Sequence, residues 1–186
     1  MRAWRAELLA LLGGHVLELG AGTGGNLDFY PASVDSLTLV EPDKQMRFRL
    51  QHKLARHPLA QRCRVVAGPS ELAPGGGRYD AVVATLVLCS VKELPPLLGR
   101  IRGAMRDGAR LLSIEHIAAE NGTARRRLQA WLEPIWKRVA GGCHLQRDPR
   151  TFLSMSGFTL ESAREQDILG VPAFIRPGLI STWLAT

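Results

Sequence analysis

Two kinds of apolar pattern alternate along this chain: short unbroken apolar runs, and longer stretches in which apolar residues return every three or four positions. The first kind predicts strands covered on both faces, and the second predicts amphipathic helices. Residues 2–12, with Trp4, Leu8, Leu11 and Leu12 on or near one face, read as a short helix, and 15–19 as the first strand. A glycine-crowded turn follows, then a helix expected to begin near Gly25 and end at Pro31. Leu37-Thr38-Leu39-Val40 reads as the second strand, Glu41-Pro42-Asp43 as a turn, and the stretch from about Lys44 to His57 as a basic helix. Cys63-Arg64-Val65-Val66-Ala67 and Tyr79-Asp80-Ala81-Val82-Val83-Ala84-Thr85 supply strands three and four. A helix over about 94–105 then leads through an Asp107-Gly108 turn into a strand over 109–114. Repeated units of this kind predict an α/β protein with a doubly wound, Rossmann-like, mostly parallel sheet.

The last part of the chain changes character. From Thr123 to about Val139, residues Leu128, Trp131, Leu132, Ile135, Trp136 and Val139 form one helical stripe, with Pro134 a kink. Packing of this stripe against the sheet is the expectation, with Trp131 and Trp136 also able to wall a substrate pocket. Residues 158–162 and about 179–184 read as two strands joined through a Pro-rich segment, which appends an antiparallel strand to the sheet.

With 186 residues the chain can bury one substantial core, so a single domain over 1–186 is expected. Within it, about 14–90 forms a cofactor-binding half and about 116–155 a substrate-side helical segment. The run Leu8-Leu9-Ala10-Leu11-Leu12 is too short for a membrane span, and no convincing signal-peptide cleavage site follows it, so a cytoplasmic protein without a transmembrane segment is expected. Cys63, Cys89 and Cys143 are scattered with no CxxC pair, which argues against a disulfide framework and a zinc site; reduced thiols and no metal are the expectation. The net charge of +7 is concentrated between Lys44 and Arg64, with seven Lys/Arg and no acid, and in Arg125-Arg126-Arg127. Solvated helix faces account for both clusters, so a nucleic-acid partner is not expected.

The chemistry is densest in Val16-Leu17-Glu18-Leu19-Gly20-Ala21-Gly22-Thr23-Gly24-Gly25, a strand running into a glycine turn. Glycines there let backbone N–H groups approach a ligand that a Cβ would block. The spacing Gly20-x-Gly22-x-x-Gly25 also fits a dinucleotide loop, so the neighbours must decide. In a doubly wound sheet the ligand lies beyond the carboxyl ends of the strands, where residues 20–25, Glu41, Gly68 to Glu71 and 85–87 converge. Glu41 is placed to accept from both ribose hydroxyls. Glu18, inside a strand, needs a cationic partner that the ammonium of S-adenosylmethionine supplies and a pyrophosphate does not. A short nicotinamide-dependent oxidoreductase is the competing reading, but Tyr30 and Tyr79 lack a lysine at helical spacing.

Glu18-Leu19-Gly20-Ala21-Gly22-Thr23-Gly24, then Glu41, then Thr85 resemble the class I S-adenosylmethionine-dependent methyltransferases. More narrowly, Asn26 with Phe29-Tyr30-Pro31, Thr85-Leu86-Val87-Leu88-Cys89-Ser90-Val91-Lys92 and Glu115-His116-Ile117-Ala118-Ala119-Glu120 are similar to the methyltransferase-like seven group. So are the region from Pro134 to Trp136, Gly142-Cys143 and Arg176-Pro177. Members of that group are membrane-associated alkyl-thiol S-methyltransferases. The resemblance implies a methyltransferase that takes S-adenosylmethionine, releases S-adenosylhomocysteine and methylates a small apolar acceptor at sulfur. Oxygen or nitrogen acceptors, or nucleic acid, are the alternatives. It implies cofactor contacts from Glu18, Gly20, Ala21, Gly22, Thr23, Gly24, Asn26, Glu41, Pro42, Gly68, Ser70, Glu71, Thr85, Leu86 and Val87.

Two departures matter. Only about fourteen residues precede the first strand, where the mammalian group has a longer region with a hydrophobic anchor, so membrane attachment is not carried over. Pro69 stands where many class I enzymes have an adenine-binding Asp, which shifts that task to Ser70, Glu71 or the backbone. A thiol acceptor reacts as thiolate, so a base or positive charge near it helps. His116 and His144 are the histidines expected there.

Overall fold

A computed structural model describes residues 1–68 and 78–186. In chain order the elements are α1 (Arg2–Leu9), β1 (Gly14–Leu19), β2 (Val34–Val40), α2 (Lys44–Leu54), β3 (Cys63–Val66), β4 (Tyr79–Thr85), α3 (Leu94–Ala104), β5 (Met105–His116), α4 (Ala124–Val139), α5 (Pro149–Met155), β6 (Phe158–Asp167) and β7 (Pro177–Ala185). The sheet runs β3-β2-β1-β4-β5-β7-β6. Its first five members are parallel, and β7 pairs antiparallel with both β5 and β6. The expected mostly parallel sheet with an antiparallel end is thus the observed architecture.

Strand alternation sends side chains to two apolar layers. On one face Leu17, Leu19, Val82, Ala84 and Leu111 pack with Leu94, Leu98 and Ile101 of α3 and Leu153 of α5. On the other, Val16, Leu37, Leu39, Val83 and Leu112 pack with Leu9 of α1 and Leu50 and Leu54 of α2. Caps fix where helices begin: Asp43 accepts from the Met46 N–H, Thr123 from Arg126 and Asp148 from Arg150. The edge strand β6 is exposed after Phe158, and its Glu161, Arg164, Glu165 and Asp167 guard the edge with charge.

Two expectations need correction, and one helix was unforeseen. No α-helix follows the glycine loop; a 3-10 turn over Leu27–Phe29 takes its place, because Pro31 leaves room for barely one turn. Helix α5 carries no periodic signal of its own and comes from the Asp148-Pro149 cap. The α4 stripe does not pack on the sheet: Trp131 and Val139 are each 73% exposed, Ile135 59% and Leu128 40%. The buried residue of α4 is Gln129, whose Oε1 accepts from the Ala119 N–H and whose Nε2 donates to the Ile117 and Phe174 carbonyls. Those three amide bonds set the helix's rotation and turn its apolar stripe outward. Trp131 therefore faces solvent, whereas Trp136 stands edge-on to Phe174 with ring centres 5.1 Å apart. Among the described residues, no helix is long and apolar enough to cross a membrane. A groove of about 850 Å³, bordered by Leu8, Leu11, Asp80, Arg110 and Thr182, opens at the amino ends of β4 and β5, away from the site described next.

Candidate functional site

The carboxyl ends of β2, β1, β4 and β5 are neighbours in the sheet, and their following loops meet. Gly20 turns with φ +58°, and a Cβ there would come within 2.5 Å of the Val87 side chain, so the loop after β1 lies directly on the loop after β4. At Gly22, φ is +57° and a Cβ would meet nothing within 4 Å, so the space in front of this residue is open. Its N–H donates to Glu41 Oε2 at 2.7 Å, while Glu41 Oε1 accepts from the Asp43 N–H at 2.8 Å. Ala21 N–H donates to the Val40 carbonyl and Gly24 N–H to Ala21, which closes the turn. Each Glu41 oxygen retains a lone pair for a further donor.

Glu18 is 2% exposed. Tyr30 donates its hydroxyl to Oε2 at 2.7 Å, and Asn26 Nδ2 donates to Oε1 at 3.0 Å and also to Thr85 Oγ1 at 3.1 Å. Burial pushes the Glu18 carboxyl up to about 7, against the downward pull of the Tyr30 and Asn26 hydrogen bonds and the Arg5 charge. Asn26 Oδ1 is buried without a partner, an acceptor left bare at the centre of the loop.

The loop after β4 is clamped from both sides. Leu86 adopts φ +57°, a conformation costly for a branched side chain, and donates its N–H to the Ile114 carbonyl at 2.7 Å. Glu115, fully buried at the end of β5, accepts from the backbone N–H groups of Val87, Leu88 and Cys89 at 3.0, 2.9 and 3.2 Å. Its carboxyl is pushed up to about 7 by burial, opposed by those same bonds. Arg147 Nη1 donates to the Leu88, Cys89 and Val91 carbonyls at 2.8, 3.3 and 2.6 Å.

This clamp brings together side chains far apart in sequence. Cys89 Sγ and Cys143 Sγ lie 3.7 Å apart, and Cys143 Sγ lies 3.6 Å from His116 Nδ1. All three atoms fall within 4.8 Å of one another. Two of the three scattered cysteines thus share a site after all, because the turn after α4 docks on the β4 loop through the His144 N–H to the Cys89 carbonyl. The proton shared with Cys89, helped by His116, holds the Cys143 thiol well below the usual thiol range; the same bond and burial push Cys89 up. His144 instead has Nδ1 3.5 Å from Glu133, and burial, with the charges of Arg147 and Lys137, lowers it.

Glu18, Gly20, Gly22, Asn26, Glu41, Thr85, Leu86 and Val87 are therefore joined in one network. Thr23 and Pro42 lie exposed at its rim, and Gly68 follows β3. Ser70 and Glu71 lie outside the described residues. Sequence reasoning missed Glu115 as a loop anchor, although a carboxylate within an apolar strand is the signal that singled out Glu18. Tyr30 entered through resemblance and as a rejected oxidoreductase tyrosine, not as a partner of Glu18, and nothing local marks Arg147.

The profile of the methyltransferase domain family matches residues 1–160. The chain belongs to this methyltransferase family. It is 36% identical over 135 residues to the thiol S-methyltransferase TMT1B of Rattus norvegicus, covering 72% of this chain and 55% of that protein. The human thiol S-methyltransferase TMT1A is 35% identical over 146 residues, covering 77% and 59%. The chain thus spans little more than half the length of these relatives. Among solved structures, a Bacillus halodurans putative methyltransferase superposes with a TM-score of 0.75 at 14% identity, covering 98% of this chain and 97% of that one. A geranyl diphosphate methyltransferase bound to sinefungin does so with 0.78 at 12% identity, covering 99% and 76%. A second structure of that enzyme, in complex with S-adenosylmethionine, superposes with a TM-score of 0.75 at 11% identity, covering 99% of this chain and 84% of that one.

Proposed function

We propose that this chain transfers the methyl group of S-adenosylmethionine to the sulfur of a small apolar thiol, releasing S-adenosylhomocysteine. The observation that carries the reading is the open space before Gly22, whose N–H is held by a Glu41 carboxylate with lone pairs to spare; the buried Asn26 Oδ1, bare of a partner, adds an acceptor in the same loop. Glu41 accepts from the ribose hydroxyls, and the backbone of 20–24 with Thr85, Leu86 and Val87 encloses the nucleoside. Asn26 Oδ1 accepts from the ammonium, with Glu18 holding Asn26 in place. Gly68, just after β3, borders the adenine side. When bound, the cofactor supplies an activated methyl on a sulfonium. The protein's task is then mainly to hold an acceptor lone pair about 3 Å from that carbon, in line and shielded from water.

Two observations support sulfur as the acceptor: the relatives are thiol S-methyltransferases, and Cys89, His116 and Cys143 form a soft cluster beside the β4 loop. His116 belongs to that cluster, whereas His144 is engaged by Glu133 and has the weaker claim. The reading includes a cytoplasmic site of action, in keeping with three free thiols. Incubation with methyl-labelled cofactor and a panel of aliphatic thiols, phenols and amines tests it, with labelled thioether the expected product. Label on oxygen or nitrogen with thiols untouched overturns the sulfur assignment, and absence of S-adenosylhomocysteine binding overturns the whole reading.

A further inference from the structure

We propose that Cys89, His116 and Cys143 form a binding site for a thiophilic divalent ion, Zn²⁺, whose fourth position receives the sulfur of the acceptor. The second half of this proposal rests on the thiol-methylating function given above. Two sulfurs bound about 2.3 Å from one tetrahedral zinc stand about 3.8 Å apart, and a bound sulfur and nitrogen about 3.6 Å. The observed separations are 3.7 Å between the sulfurs and 3.6 Å from Cys143 Sγ to His116 Nδ1, so two edges already match such a tetrahedron, and all three ligand atoms lie within 4.8 Å of one another. A Cys₂His set suits zinc and leaves one position open.

Backbone contacts outside the cluster fix each ligand. Cys89 is held by Glu115 through its N–H and by His144 and Arg147 through its carbonyl. His116 lies in the β5–β7 ladder opposite Gly178. Cys143 N–H donates to the Ala140 carbonyl at the turn closing α4. Ser90 Oγ lies 3.5 Å from Cys89 Sγ, an outer contact of the kind that orients metal ligands. His116 is 4% exposed, its Nε2 has no partner and its Nδ1 meets only sulfur. An ion at Nδ1 replaces that weak sulfur contact with a coordinate bond and leaves Nε2 as the protonated nitrogen of a neutral ring.

The placement gives the ion a role. With two thiolates and a neutral imidazole the site carries no net charge. An acceptor thiol taking the fourth position gives its proton to bulk water and binds as thiolate, which makes the site singly negative. In the displacement, the acceptor sulfur forms a bond to the methyl carbon as the sulfonium C–S bond breaks. That electron pair stays on the cofactor sulfur, and the neutral thioether product, a poor ligand, departs. A negative site and a positive donor become neutral together, a change that exclusion of water favours.

The test uses the full chain, reduced, chelator-stripped and handled without oxygen. Titration with Zn²⁺ against a chromophoric competitor should give one equivalent bound, and Co²⁺ should give the intense visible bands of a tetrahedral thiolate site. Cys89→Ser and Cys143→Ser should each weaken binding by about 100-fold, with Cys63→Ser unchanged and near-ultraviolet circular dichroism reporting that all three are folded. An aliphatic thiol should shift the Co²⁺ spectrum, and its methyl thioether should not. No stoichiometric metal on folded protein, or equal binding by the variants, overturns the site. So does a Cys89–Cys143 disulfide that forms in air in a protein without metal affinity. A Co²⁺ spectrum blind to thiols overturns the acceptor role alone. If methyl transfer to thiols survives zinc removal intact, the metal fails while the proposed function stands; metal binding with label only on oxygen or nitrogen shows the reverse.

Discussion

Glu41→Gln separates two tasks that one carboxylate performs. In the parent, Glu41 is 5% exposed and its two oxygens accept from the N–H groups of Gly22 and Asp43 at 2.7 and 2.8 Å. Glutamine has a single carbonyl oxygen, so one of those N–H groups must face an amide NH₂. A bond to a charged acceptor contributes about 1.5–3 kcal/mol, so the unliganded variant should lose about 2–3 kcal/mol of stability. Glu41→Ala strands both donors and should lose about 3–5 kcal/mol. The ribose hydroxyls would use the lone pairs that remain, so the glutamine variant should also bind S-adenosylhomocysteine about 10–100-fold more weakly. Urea unfolding followed by tryptophan fluorescence reads the first effect, and titration calorimetry on the folded fraction reads the second. Lost stability with unchanged affinity rejects the ribose role, whereas lost affinity with unchanged stability rejects the anchoring of the glycine loop.

Trp131→Ser should change stability by no more than about 0.5 kcal/mol, since a solvent-facing side chain is removed; a loss of about 3–5 kcal/mol, the cost of truncating a core tryptophan, would show that the α4 stripe packs inward after all. Arg147→Met removes the donor to three carbonyls of the β4 loop, and turnover should fall by about tenfold or more through misplacement of the acceptor side, with S-adenosylhomocysteine affinity little altered; equal turnover refutes the clamp. Glu18 gives a pH signature: with its carboxyl raised from 4.5 to about 7, the folded chain holds a proton that the unfolded chain has released. Its contribution to stability is therefore full at low pH and is lost as pH climbs from about 4.5 to about 7. Urea midpoints of Glu18→Gln should fall less steeply across that window than the parent's, with Glu115 leaving part of the slope; identical slopes refute a buried, proton-holding Glu18.

The cofactor end was legible because its information is local. Glu18, the glycines, Glu41 and Thr85 each sit within a few residues of a strand's carboxyl end, and parallel strand order brings such ends together without any knowledge of side-chain packing. The acceptor end was not legible, because distant residues decide it. The rotation of α4 is set by one amide, Gln129, reaching Ile117 and Phe174, and a hydrophobic stripe read alone points the wrong way. The expected helix after Gly25 gives way to a turn in which Asn26 bridges Glu18 and Thr85, a bond between residues 59 apart. Likewise nothing about Cys89 or Cys143, 54 positions apart, marks them as a pair until the α4 turn is docked.

The two buried carboxylates explain why both ends belong to one device. Strand β4 lies between β1 and β5, and each flanking strand ends in a glutamate that reaches across to it: Glu18 through Asn26 to Thr85, and Glu115 directly to the N–H groups of Val87, Leu88 and Cys89. In the proposed function the stretch from Thr85 to Cys89 bears on the cofactor at its start and on the acceptor at its end, and both bearings are fixed to strands of the same sheet. A displacement reaction that depends on distance and alignment loses about 100-fold for a 1 Å misplacement. Hydrogen-bonding one short loop to both neighbours makes donor and acceptor positions move together, and this coupling repays the desolvation that raises both carboxyls to about 7.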